Sequence, residues 1–216
     1  MRLSEKTIEL NICSQISRAC HPNLTWFGLT QKQEARAGFD ACTRIRGKLL
    51  VLQFKASNHT VSGARRFKLK HRQLVRLSSL CRSYSRSVFY AFPLIGNTHE
   101  LANTSNFLAH TWLLDVANVI GIPAPTKING ALRKSGIHYA DVVPGSVTLR
   151  SDPYEIPLLP LDEIVESQFE GAEGLQSALD DLQFTSSLLQ LVSKPSSGMI
   201  LHPPNAKSEG QVRRIR

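Results

Sequence analysis

The sequence predicts an α/β protein in which a small mixed β-sheet is flanked by helices, with further helices toward the C-terminus and a mobile basic tail. Three observations predict it. Helical periodicity and short apolar runs alternate over residues 3–95 in the order helix, hairpin, helix, strand. The chain has 216 residues, 42% of them hydrophobic and 20% charged, which suits one folded domain rather than two or a disordered chain. No apolar run approaches the ~20 residues of a membrane-spanning helix, and the start, MRLSEKTIEL, has no apolar signal core. The expectation is a cytoplasmic protein with no membrane partner. One domain should cover residues 1–193, with a core over about 3–95, a helical part over about 100–193 and a disordered tail over 194–216.

The elements follow in order. Residues 3–20 place Leu3, Ile8, Ile12 and Ile16 near a 3.6-residue period, with Ser4 as a cap. His21, Pro22 and Asn23 stop that helix. Residues 25–29 suit a short extended piece, and 30–36 one or two helical turns. In residues 38–57, GFDACTRIRGKLLVLQFKAS, the run Leu49-Leu50-Val51-Leu52 is the pattern of a strand buried on both faces. Arg46-Gly47 stands where a two-residue hairpin turn belongs. That turn pairs Ile45 with Lys48 and sets Asp40 opposite Gln53. Residues directly opposite, and residues two apart, share a face. Asp40, Gln53 and Lys55 should therefore share one face, and Phe39, Ala41, Leu50, Leu52 and Phe54 the other.

Residues 63–70 suit a basic loop or short extended segment, and 72–83 a helix with Leu74, Leu77 and Leu80 on one side. Residues 87–95, SVFYAFPLI, form another buried strand, ended by Gly96-Asn97. A helix is expected near 109–120, short extended pieces at 136–140 and 146–150, and acidic helices at 161–170 and 174–192.

Charge is distributed unevenly. The net charge is +9, yet residues 41–99 carry twelve Lys or Arg and no Asp or Glu, while 151–193 carry nine Asp or Glu and no Lys or Arg. Self-repulsion in the middle segment needs an offset. Nucleic-acid phosphate supplies one by counterion release, and the chain's own acidic helices supply another. Arg65, Arg66, Lys68, Lys70, Arg72 and Arg76 are the candidate phosphate contacts, with Phe67 placed to stack on a base.

A carboxylate opposite a polar-x-lysine run suits metal-assisted phosphodiester chemistry. Asp40 is the candidate ligand of a hard divalent ion such as Mg2+ or Mn2+, and Lys55 the group that orients water or stabilises developing charge. A second carboxylate from a packed helix completes such a shell, and Glu34, Glu9 and Glu5 are the candidates. Each residue also has a structural alternative: a turn or cap for Asp40, a hydrogen-bond partner for Gln53, an edge or snorkelling cation for Lys55, and solvated helix surface for the glutamates.

Asp40 followed by Leu52-Gln53-Phe54-Lys55 resembles the core of the PD-(D/E)XK, or restriction-endonuclease-like, nuclease superfamily over roughly residues 3–95. The resemblance implies a restriction-endonuclease-like core. In it Asp40 matches the metal-binding aspartate, Gln53 the second acidic position, Lys55 the catalytic lysine, and Glu9 or Glu34 the helix-borne glutamate. Gln53 departs from the usual Glu or Asp and resembles the Gln-x-Lys of Mrr-type restriction enzymes. It keeps an oxygen donor but removes a negative charge.

The function expected is a metal-dependent nuclease with catalytic Asp40, Gln53, Lys55 and Glu34, metal ligands Asp40, Gln53 and Glu9, and DNA ahead of RNA as substrate. By analogy it belongs to a restriction, repair or phage-defence system and acts as a homodimer or beside a partner protein. The alternatives are an inactive nucleic-acid-binding module of the same fold, and an interaction subunit whose basic surface docks an acidic protein.

Other features carry less. Cysteines 13, 20, 42 and 81 have no CxxC spacing and suit reduced thiols better than zinc ligands. His138-Tyr139 suits a buried structural histidine better than a catalytic pair.

Overall fold

The computed structural model describes residues 1–20, 24–45, 48–83, 86–125 and 136–167. The expected acidic helix at 174–192, the end of the one at 161–170 and the tail at 194–216 lie outside them.

The chain opens with α1 (Glu5–Cys20), which buries Ile8, Ile12 and Ile16 on one stripe. Strand β1 (Trp26–Gly28) leads to α2 (Gln31–Ala37). Thr30 and Gln33 close a reciprocal capping box at the start of α2. Gly38 ends it at φ +89°, and a Cβ there would stand 3.1 Å from the Cβ of Arg76. That left-handed turn aims the chain into the hairpin of β2 (Ala41–Ile45) and β3 (Lys48–Phe54).

The hairpin pairs from Ile45↔Lys48 to Ala41↔Leu52, the register the two-residue turn predicts. Next come β4 (Thr60–Val61), β5 (Ala64–Lys70), α3 (His71–Ser83) and β6 (Val88–Pro93), which lies parallel to β3. The remaining elements are α4 (Thr98–Asn103), β7 (Thr111–Asp115), a 3-10 turn (Val116–Val119), β8 (Ile137–Val143), β9 (Ser146–Leu149), β10 (Asp152–Pro157), β11 (Leu159–Pro160) and α5 (Leu161–Ser167).

Two sheets result. A mixed six-stranded sheet runs β1-β2-β3-β6-β7-β11, and an antiparallel five-stranded sheet runs β10-β9-β8-β5-β4. One core cluster joins Ile8, Ile12 and Ile16 of α1 to Leu50, Leu52, Phe54 and Ala91 of the first sheet and to Leu161 and Val165 of α5. A second joins Val51, Val88 and Tyr90 of that sheet to Leu74, Leu77 and Leu80 of α3 and to Phe67, Leu69, Ala140 and Val147 of the second sheet. The α/β class, the mixed sheet and its flanking helices are as the sequence predicts.

Three expectations are corrected. Phe39 packs with Cys42 and Val51, not with Leu50, Leu52 and Phe54. It precedes β2, beside the turn at Gly38, so strand alternation does not govern it. Residues 109–120 form β7 and a 3-10 turn instead of a helix. Leu113 enters one core cluster and Leu114 the other, so both faces of the strand are covered, which removes the alternation that marks a half-exposed strand. Phe67 is 0% exposed and packs on Phe92 with ring centroids 4.9 Å apart, so it has no face free for a base.

Candidate functional site

Asp40 sits one residue before β2, and its main-chain N–H donates to Leu52 O at 3.0 Å. This extends the hairpin ladder just far enough to carry the carboxylate over the end of β3. Asp40 Oδ2 accepts the main-chain N–H of Phe54 at 2.7 Å and Gln53 Nε2 at 2.6 Å. Gln53 Nε2 also donates to Phe54 O at 3.0 Å. The amide nitrogen is thus held between two oxygens, one of them a carboxylate.

Lys55 follows the last residue of β3, and its N–H donates to Ala91 O at 3.1 Å, continuing the parallel pairing with β6. Its ammonium lies 3.5 Å from Glu5 Oε1 in the first turn of α1. The lysine side chain is 8% exposed and the glutamate 50%, so a nearly buried cation meets a carboxylate at the surface. The acid, the amide and the amine predicted from the sequence therefore gather at one end of the hairpin, and α1 brings Glu5 to them.

Burial pushes the Asp40 carboxyl up to about 7, and the charge of Glu5 adds to the rise. Lys55, the Phe54 N–H and Gln53 oppose it. Glu34 on α2 is also pushed up, first by burial and then by the charge of Glu9. Glu9 is 7% exposed and its carboxylate lies 2.6 Å from Lys6 Nζ. That bond, with the more distant charges of Glu34 and Asp40, raises the lysine's own pKa. Glu5, Glu9, Glu34 and Asp40 thus share one electrostatic neighbourhood, with Lys6 and Lys55 as its cations. Glu9 and Glu34, named above as ligand and catalytic candidates, are not hydrogen-bonded to Asp40 or Gln53; Glu9 is engaged by Lys6.

Gln73, in the first turn of α3, donates through Nε2 to Gln53 Oε1 at 2.6 Å. The sequence reading did not single it out. Its signal was there: Gln73 precedes Leu77 by four residues, so it shares the inward stripe of α3. Gln73 Oε1 and the hydroxyl of Tyr90 are buried and make no hydrogen bond among the described residues. Tyr90 lies beside Gln53 in the β3–β6 pairing. Burial, then the charge of Asp40, raises the pKa of the phenol.

The basic residues divide. Arg65 bonds Glu100 at 3.1 Å, and Arg66 makes a bidentate pair with Asp141 at 2.5 and 2.7 Å. Lys68, Lys70 and Arg72 are exposed, and Arg76 is half-buried against Gly38. Lys70 ends β5 and Arg72 directly precedes Gln73 in α3, so two exposed cations are near Gln73 in the chain.

His138 is buried, with its two ring nitrogens 3.0 Å from His71 Nδ1 and 2.6 Å from Ser151 Oγ. Burial and His71 lower it to about 4, so it is neutral at pH 7. This is the structural histidine the sequence favours. No disulfide joins the four cysteines.

Among the described residues no group of three or more His, Cys, Asp and Glu side chains is placed to hold a metal ion. The groups gathered at Asp40 are of another kind: its own carboxylate, the main-chain carbonyl of Phe54, and the Gln53 amide, which turns its nitrogen to them and its oxygen to Gln73. Carbonyl, amide and carboxylate oxygens suit hard cations such as Mg2+ and Mn2+ rather than zinc. No protein-family model matches the chain, and no curated protein matches it.

Proposed function

We propose that the protein is a metal-dependent nuclease of the PD-(D/E)XK type that hydrolyses phosphodiester bonds in DNA. The observation that carries this reading is the apposition of Asp40 Oδ2, Phe54 O and the Gln53 amide, with Lys55 two residues on. Gln53 Nε2 already fills, as a partial positive charge, the space between two oxygens. Asp40, Phe54 O and the oxygen end of Gln53 are the groups that would hold Mg2+ or Mn2+. A divalent ion held there supplies polarisation of a phosphate oxygen and a more acidic water.

The chain's own residues do the rest. Asp40 provides the negative charge that makes the position cationic. Lys55, kept in place by Glu5, orients the attacking water and stabilises the charge that develops on the phosphate. Lys68, Lys70 and Arg72 hold backbone phosphates on either side of the scissile bond. Arg65 and Arg66 serve the fold, since Glu100 and Asp141 already use them. A restriction, repair or phage-defence setting belongs to this proposal by analogy, as do a cytoplasmic location and a homodimer or defence-system partner.

One observation favours a second reading, a binding module of the same fold without catalysis. Among the described residues Asp40 is the single carboxylate hydrogen-bonded to Gln53, and the amide presents its nitrogen to it. The experiment that separates the two is nicking of supercoiled plasmid with Mg2+ or with EDTA. A nuclease nicks only with the metal. A binding module shifts the plasmid in a gel and leaves it intact under both conditions.

A further inference from the structure

We infer that Gln73 sets which end of the Gln53 amide faces Asp40, so that the two glutamines form a paired latch on the cation position. The inference rests on the nuclease reading, because it concerns the same site.

In the arrangement observed, Gln53 Nε2 donates to Asp40 Oδ2 at 2.6 Å and to Phe54 O at 3.0 Å, while Gln53 Oε1 accepts from Gln73 Nε2 at 2.6 Å. The amide nitrogen therefore stands in for a cation, and the amide oxygen points away. Gln73 Oε1 is buried with no donor among the described residues. Leaving a buried acceptor unmet is unfavourable. An amide has a donor end and an acceptor end of nearly equal size, so turning it over changes chemistry without changing shape.

Turning both amides over gives the second arrangement. Gln53 Nε2 then donates to Gln73 Oε1, and Gln73 Nε2 takes the buried position that has no partner among the described residues. Gln53 Oε1 comes to the side of Asp40 Oδ2 and Phe54 O. Three oxygens now meet with only the Phe54 N–H to answer them, an arrangement stable only with a cation among them. Neither amide can turn alone, since that sets two oxygens or two N–H groups against each other at 2.6 Å. The pair is thus closed without metal and open with it. A glutamate at position 53 would need no such turn, because either of its oxygens accepts from Gln73 while the other faces Asp40.

Full-length protein titrated with Mn2+, read by calorimetry and without nucleic acid, tests this. Supporting partners of metal ligands typically change affinity by about 10–100-fold. Gln73→Met removes both the donor that holds the closed form and the acceptor that holds the open one, so Gln53 can turn alone and Mn2+ affinity should change by less than about threefold. Gln73→Glu offers only acceptors, favours the open form and should tighten it. In a Gln53→Glu background, Gln73→Met should change affinity by less than about threefold, and Gln73→Glu should weaken it by bringing two carboxylates together. In the wild type, Mg2+ should shift the side-chain NH2 resonances of Gln53 and Gln73 together in 15N-labelled protein. Mn2+ affinity indifferent to Gln73→Glu, or changed by it in the same direction in both backgrounds, would overturn the latch and leave the nuclease reading intact. Absence of any Mn2+ binding in the wild type overturns both.

Discussion

Asp40 Oδ2 accepts the main-chain N–H of Phe54 at 2.7 Å, so a carboxylate caps the end of the neighbouring strand in the interior of the hairpin. The bond ties the charge of Asp40 to the fold, and burial makes that charge unfavourable. Asp40 should therefore contribute to the pH dependence of the protein's stability.

An aspartate has an ordinary pKa near 3.8, and in the folded chain Asp40 is pushed up to about 7. Between those values the folded state holds a proton that the unfolded state has released. Stability from Asp40 is thus full below about pH 4 and is lost as pH rises to about 7, by up to about 4 kcal/mol. Asp40→Asn keeps an oxygen for Phe54 N–H and Gln53 Nε2 and carries no charge. Urea unfolding in EDTA should show the variant more stable than the wild type at pH 8 and the difference shrinking toward pH 4. A constant difference over that range would remove Asp40 as the titrating group.

The same proton competes with a metal ion. Mn2+ affinity should rise about tenfold per pH unit below 7 and level off above it. Calorimetric titrations at pH 5.5, 6.5 and 8 measure this. Affinity that does not change between pH 5.5 and 6.5 would mean that the ion binds elsewhere.

The exposed cations and the paired ones should behave differently toward DNA. Replacing Lys68, Lys70 or Arg72 by Ala should weaken binding to random duplexes and lower the salt slope by about one each. Arg65→Ala and Arg66→Ala should leave the slope nearly unchanged, since Glu100 and Asp141 already neutralise those side chains. Fluorescence anisotropy over a salt series reads both effects. Equal slopes for all five variants would contradict the division.

Gly96 is a structural test of the same region. A Cβ built there meets Arg65 Nη1 at 1.9 Å and Ser57 O at 2.4 Å, and the Gly96 N–H donates to Glu100. Gly96→Ala must push apart the Arg65–Glu100 clamp and the chain that follows Lys55. Overpacking of this kind costs about 1–3 kcal/mol. Denaturant unfolding should show that loss, while Gly63→Ser, where the space is open, tests only the strain of φ +82°.

The hairpin was legible because its information is local. A two-residue turn and a wholly apolar run admit one register, and that register sets Asp40 across from Gln53. Lys55 follows by counting. The contacts that complete the site are not local. Gln73 reaches Gln53 from the next helix, and Glu5 reaches Lys55 from the first. Arg65 and Arg66 read as free cations because Glu100 and Asp141 lie far along the chain. Strand β7 was missed because burial on both faces erases alternation. Helix α4 had a readable start, since Asn97 caps the N–H groups of His99 and Glu100 and Glu100 accepts from Asn97 in return. That signal is three residues long, next to a Gly-Asn break, and the break dominated the reading.

The central claim is that Asp40 and Lys55 act together on a phosphodiester. The most direct test is the rate of Mg2+-dependent plasmid nicking by wild type, Asp40→Asn and Lys55→Met, each first shown to be folded by circular dichroism. The expected result is nicking by the wild type, a loss of at least about a hundredfold in each variant, and DNA binding retained in both. Nicking that persists at wild-type rate in the two variants, or that is absent from the wild type with Mg2+ and Mn2+ alike, would contradict it.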